Sequence, residues 1–101
     1  MVRHIVLFGF KKEAEGRSAL ENAEIAKESL LSLKDKISVL RNIEVGINME
    51  NASSDNATLC LTCDFDHLDD LSIYANHEEH LKVAEFIGKV RESRSCVDYE
   101  I

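Results

Sequence analysis

Apolar and polar residues change rhythm several times along the chain, and each rhythm predicts an element. From Val2 to Phe10, β-branched and aromatic residues occupy both alternating sets, Val2, Val6, Phe8 and Phe10 against Ile5 and Leu7. A strand that is apolar on both sides belongs at the centre of a sheet. Lys11 to Gly16 is polar and reads as a connector. Ser18 and Glu21 then form an S-x-x-E capping box, and Ala23, Ala26, Leu30, Leu33, Ile37 and Leu40 follow at spacings of three and four. That pattern predicts a helix with a single apolar stripe.

Alternation returns at Ile43, Val45, Ile47 and Met49, with Glu44, Gly46 and Asn48 between them, and predicts a second strand. Glu50 to Asn56 is a turn-rich polar loop. Leu59, Leu61, Cys63 and Phe65 alternate with Thr58, Cys60, Thr62 and Asp64 as a third strand, expected to form a hairpin with the second. Asp66 is placed to N-cap a second helical segment bearing Leu68, Leu71 and Tyr74. A longer segment continues through Leu81, Ala84, Ile87 and Val90, with a kink or break around Asn76. Val97, Tyr99 and Ile101 alternate with Cys96, Asp98 and Glu100 as a short last strand.

The order β-α-β-β-α-β is that of a ferredoxin-like α+β fold, a four-stranded antiparallel sheet with both helices on one face. The other face then lies bare and carries apolar residues. A monomer rarely tolerates such a patch, and a second copy of the chain is the simplest lid, so a homodimer is expected. The alternative is a monomer whose open face is a ligand groove.

Composition narrows the class of partner. At 101 residues the chain has room for one domain, spanning 1–101, and 45% hydrophobic with 31% charged residues is the balance of a globular protein. Twelve basic against nineteen acidic residues give a net charge of −7. That charge repels phosphate backbones and anionic lipid, so neither nucleic acid nor a membrane is an expected partner. The longest apolar run, Ile5 to Phe10, is far shorter than the ~20 residues that span a bilayer. No small-residue cleavage site follows it, so no signal peptide is read. Three cysteines, an odd number without a secretory segment, suit a reducing cytoplasm. Cys60 and Cys63 have C-x-x-C spacing, but within a strand they point to opposite faces, and all three cysteines are expected as buried thiols.

Four patches, in order, resemble the stress-responsive A/B barrel family. They are Val2-Arg3-His4-Ile5-Val6-Leu7-Phe8, Ile43-Glu44-Val45-Gly46-Ile47-Asn48, Tyr74-x-x-His77-x-x-His80-Leu81 and Val97-Asp98-Tyr99. The third resembles the family's Tyr-x-x-His-Pro-x-His signature, with Glu78 in place of the proline. The resemblance implies a dimeric α+β barrel in which two four-stranded sheets face each other. The family includes plant stress-associated proteins and olivetolic acid cyclase, which performs an aldol cyclisation without a cofactor. By that resemblance the catalytic pair falls on Tyr74 and His80, and the pocket-lining positions on His4, His77 and Asp98.

The residue types suit such chemistry. A histidine near neutral pH can take a proton from a carbon acid, and a tyrosine can steady the oxygen on which charge develops. The same residues could equally be a hydrogen-bonded core set with no catalytic task. His77-Glu78-Glu79-His80 gathers potential metal ligands, but its histidines are at i and i+3 and the pattern is not H-E-x-x-H, so no metal is expected. His67, at a helix start, reads as exposed. Four scattered glycines form no phosphate loop, and no haem ligand stands out beyond the same histidines, so no cofactor is expected. Three readings stay open: a homodimer binding a small apolar molecule, a cofactor-free lyase, cyclase or isomerase, and a purely structural dimer.

Overall fold

The computed structural model describes every residue, Met1–Ile101. Its main sheet is built from β1 (Val2–Phe10), β4 (Asn42–Ile47), β5 (Leu59–Phe65) and β6 (Arg91–Glu100), in the spatial order β4-β5-β1-β6 and antiparallel throughout. β1 lies between two neighbours, as its two apolar sides require. The register pairs His4 with Cys63, Val6 with Leu61 and Phe8 with Leu59. These residues, together with Phe10, form the helix-facing side and are buried. Ile5 and Leu7 face the other way, opposite Thr62 and Cys60.

The helix α1 (Ala19–Leu31) begins at the capping box, where Ser18 accepts from the Glu21 N–H and the Glu21 carboxylate accepts from the Ser18 N–H. It stops sooner than its apolar stripe does. Ser32 bonds back to the Ser29 carbonyl at 2.6 Å, and a 3-10 turn, Ser32–Asp35, takes over. Leu33, Ile37 and Leu40 are nevertheless as buried as Ala23, Ala26 and Leu30. A 3-10 turn repeats every three residues, so the spacing alone cannot tell it from helix.

The connector before α1 is a miniature hairpin, β2 (Glu13–Ala14) with β3 (Arg17–Ser18). Glu15 and Gly16 form its turn with φ of 52° and 72°, the left-handed pair that two-residue hairpins favour. Its anchor is the fully buried Asn22, which donates to the Ala14 carbonyl and accepts from Arg17 Nε.

Asp66 does not cap the next helix. Arg41 holds it through two guanidinium contacts, and α2 (Asp69–Asn76) starts instead with the Asp70 carboxylate accepting from the His67 N–H. The chain breaks at His77, and α3 (Glu78–Val90) follows. Its inward stripe is His80, Val83, Ile87 and Val90; of the residues placed inside by the sequence pattern, Ile87 and Val90 are buried while Leu81 and Ala84 are exposed. No helix is long and apolar enough to cross a membrane.

β6 is longer than the short strand expected, for it starts directly after α3 and runs for ten residues. Arg91, Glu92, Ser93, Arg94 and Ser95 carry no apolar signal because an edge strand is mostly solvated. The cysteines divide: Cys63 is buried, Cys60 lies on the open face, and Cys96 is exposed on the edge strand, against the expectation of a buried thiol.

Candidate functional site

The break at His77 builds the site. The His77 imidazole Nδ1 accepts from the Glu79 N–H at 3.1 Å, so this side chain caps α3 and is not among the walls of the adjacent cavity. Glu78 takes the first helical position, where the N–H has no intrahelical partner and a carboxylate complements the helix dipole. The chain therefore accommodates glutamate where the family signature has proline. Glu78 also stays off the cavity wall.

One turn on, His80 folds back over Tyr74, with ring centroids 4.5 Å apart. Its Nδ1 lies 3.0 Å from the Ala75 carbonyl oxygen, one of the last carbonyls of α2 that the helix itself cannot satisfy. A carbonyl only accepts, so Nδ1 carries the hydrogen and Nε2 keeps its lone pair. Burial lowers the His80 pKa and Arg94 adds to the lowering, against the opposing effect of the Ala75 carbonyl bond. The neutral base is thus the resting form.

Tyr74 is 1% exposed and wedged between His80 and Phe65, whose centroid is 5.3 Å away. Burial raises its pKa far above the ordinary value, so it remains a phenol. The Cys63 thiol, itself pushed up to about 12 by burial, donates to the Tyr74 oxygen at 3.8 Å. No other side chain bonds the Tyr74 hydroxyl.

Between sheet and helices lies a cavity of about 160 Å³. Its walls are His4, Val6 and Phe8 from β1, Leu61 from β5, Leu30 from α1, Tyr74 from α2, a run of α3 from His80 to Gly88, and Arg91 and Arg94 from β6. Of the residues implied by resemblance, His4, Tyr74 and His80 meet here. Asp98 acts from behind, its carboxylate 2.5 Å from His4 Nδ1 on the directly paired strand. The two arginines escaped the sequence reading because their strand segment was not recognised.

Cys96 completes a small cluster, its sulfur 3.4 Å from His4 Nδ1 and 3.9 Å from the Asp98 carboxylate. The Nδ1, Sγ and carboxylate atoms lie within 4.8 Å of one another, a spacing that suits one metal ion. In this arrangement the three groups satisfy each other by hydrogen bonds, with His4 Nδ1 shared between both partners.

A four-stranded antiparallel sheet with its helices on one side defines a ferredoxin-like α+β protein. The chain belongs to the stress responsive A/B barrel domain family, which matches residues 2–101. It is similar to a dimeric protein of unknown function and ferredoxin-like fold from Bacteroides fragilis NCTC 9343, at 40% identity and a TM-score of 0.88, covering 99% of this chain and 95% of that one. A dimeric ferredoxin-like protein of unknown function from Thermobifida fusca is similar at 23% identity and a TM-score of 0.82, covering 99% and 90%. The hydroxynitrile lyase from Passiflora edulis shares the fold at 16% identity and a TM-score of 0.80, covering 99% and 92%. No curated protein matches the chain in sequence.

Proposed function

We propose that this protein is a homodimer that takes a small, largely apolar molecule into the cavity of each protomer. The carrying observation is the cavity itself, about 160 Å³ and lined by eight hydrophobic residues among thirteen. An engineered cavity of about 150 Å³ is large enough to hold benzene. The dimer is supported by the open sheet face, where Leu7, Val97 and Tyr99 are 42%, 53% and 43% exposed, and by the dimeric state given for the Bacteroides and Thermobifida proteins. Two copies meeting through this face would cover a patch that a monomer leaves wet.

The test is a titration with 2-phenylethanol followed by amide chemical shifts. Shifts at Tyr74 and Ile87 that vanish in Ala84→Trp, whose indole plugs the cavity wall, support the reading; no binding, or binding untouched by the plug, sinks it. Sedimentation tests the assembly: Val97→Asp should turn a dimer into a monomer, and a monomeric unaltered protein removes the dimer.

A second reading is cofactor-free proton transfer, supported by the His80 tautomer. Nε2 would take a proton from a carbon next to a carbonyl, and the Tyr74 O–H would donate to the oxygen that gains charge. Exchange of the α-hydrogens of phenylacetaldehyde into D₂O measures it directly. His80→Ala should remove the catalysed exchange, and Tyr74→Phe should slow it; an unchanged rate in His80→Ala ends this reading.

A further inference from the structure

We propose that the ligand of this cavity carries a carboxylate on its apolar body, and that Arg91 and Arg94 are its anchor. This rests on the cavity being a binding site and names the class of molecule it takes.

The argument begins with charge. The chain has nineteen acidic residues against twelve basic ones, yet no Asp or Glu lines the cavity and two arginines do. Every other arginine is engaged within the fold. Arg3 grips Asp64 through two nitrogens at 2.8 and 3.0 Å, Arg41 holds Asp66, and Arg17 binds Asn22 and lies over the Phe86 ring. Arg91 and Arg94 make no ion pair with any carboxylate of the chain. In so acidic a protein, two unpaired guanidinium groups at one cavity leave a locally positive wall.

Strand register places that charge. Arg94 pairs with Phe8, and Arg91 with Phe10 beyond the irregularity at Gly9, so the arginines sit across from residues of the helix-facing side. Asp98, paired with His4 on the same strand couple, bonds the His4 imidazole and makes no ion pair with either arginine. Opposite lie apolar walls from Leu30, Val83 and Ile87. Such a site offers an apolar enclosure for a ring-sized body and a fork of N–H donors that matches the two oxygens of a carboxylate.

A matched pair of probes isolates the anion: phenylacetate and 2-phenylethanol have the same body and differ in the charged end. Phenylacetate should bind at least tenfold more tightly, about 1.4 kcal/mol, with the advantage shrinking as salt is raised. The Arg91→Gln, Arg94→Gln double variant should lose the advantage while still binding 2-phenylethanol, and Arg94→Lys should keep part of it. Both positions are exposed on an edge strand, so an unchanged melting temperature is expected to confirm that the double variant is folded.

Equal binding of the two probes overturns the anionic ligand and leaves the cavity reading standing. An advantage that survives in the double variant, or that comes without shifts at Tyr74 and Ile87, overturns the arginine anchor. Binding of neither probe overturns both readings.

Discussion

The Nδ1 of His80 lies 3.0 Å from the carbonyl oxygen of Ala75, so the first turn of α3 is tied to the end of α2 through one imidazole. The bond satisfies a carbonyl that α2 leaves open and sets which nitrogen of His80 can act as a base. Structure and chemistry share this contact.

His80 itself has a pH signature, which burial creates and the Ala75 bond opposes. The folded pKa of His80 is lowered from 6.5, chiefly by burial. Between the folded and the ordinary value only the unfolded chain binds this proton, so stability falls as pH drops through about 6.5 and levels off below the folded value. NMR titration should find the His80 ring titrating below the ordinary range, and His80→Gln should flatten this part of the stability–pH curve. A His80 titration at or above 6.5 would contradict the assignment.

His77 caps α3 by accepting from the Glu79 N–H. Its replacement by alanine should cost about 1 kcal/mol in urea unfolding, the usual loss for an N-cap, and His77→Asn should restore most of it. Equal losses in the two variants would mean that the cap is not what stabilises this turn.

Leu30 is 2% exposed and forms both core and cavity wall. Leu30→Ala should therefore cost about 2–5 kcal/mol and enlarge the cavity towards α1. If the variant stays folded, probes one methylene longer than 2-phenylethanol should gain affinity relative to 2-phenylethanol itself; a loss for both would indicate that the wall collapsed inward.

A Cβ on Gly9 would run into the Ser93 hydroxyl across the strand pair. Gly9→Ala should lower the melting temperature, and Ser93→Ala in the same chain should recover much of the loss. Additive effects in that double-mutant cycle would place the strain elsewhere.

Much of the fold was legible because it follows from local physics. The Ser18–Glu21 box reads directly as a helix start, and the two-sided apolarity of Val2 to Phe10 placed β1 at the centre. Alternation at Ile43 to Ile47 and Leu59 to Phe65 fixed which side of each strand meets the helices. The resemblance also put His4, Tyr74 and His80 together, and the structure brings all three to one cavity.

Other features depend on contacts that no local pattern encodes. Periodicity of three and four did not mark where α1 yields to a 3-10 turn, nor that the break at His77 turns Leu81 outward and His80 inward. Asp66 has the chemistry of an N-cap, but Arg41, distant in sequence, claims it. The arginines of β6 carried no signal because an edge strand facing water needs no apolar alternation.

The sequence by itself determined the order of the main elements, the helix-facing side of β4 and β5 and the residue types available for acid–base chemistry, since these rest on hydrophobic period and capping. Only the tertiary structure decided that His80 holds Ala75, that His77 serves the backbone, and that Arg91 and Arg94 stand at the cavity. Those facts depend on where helix α3 and strand β6 come to rest against β1, and that position is set by the packing of the whole core.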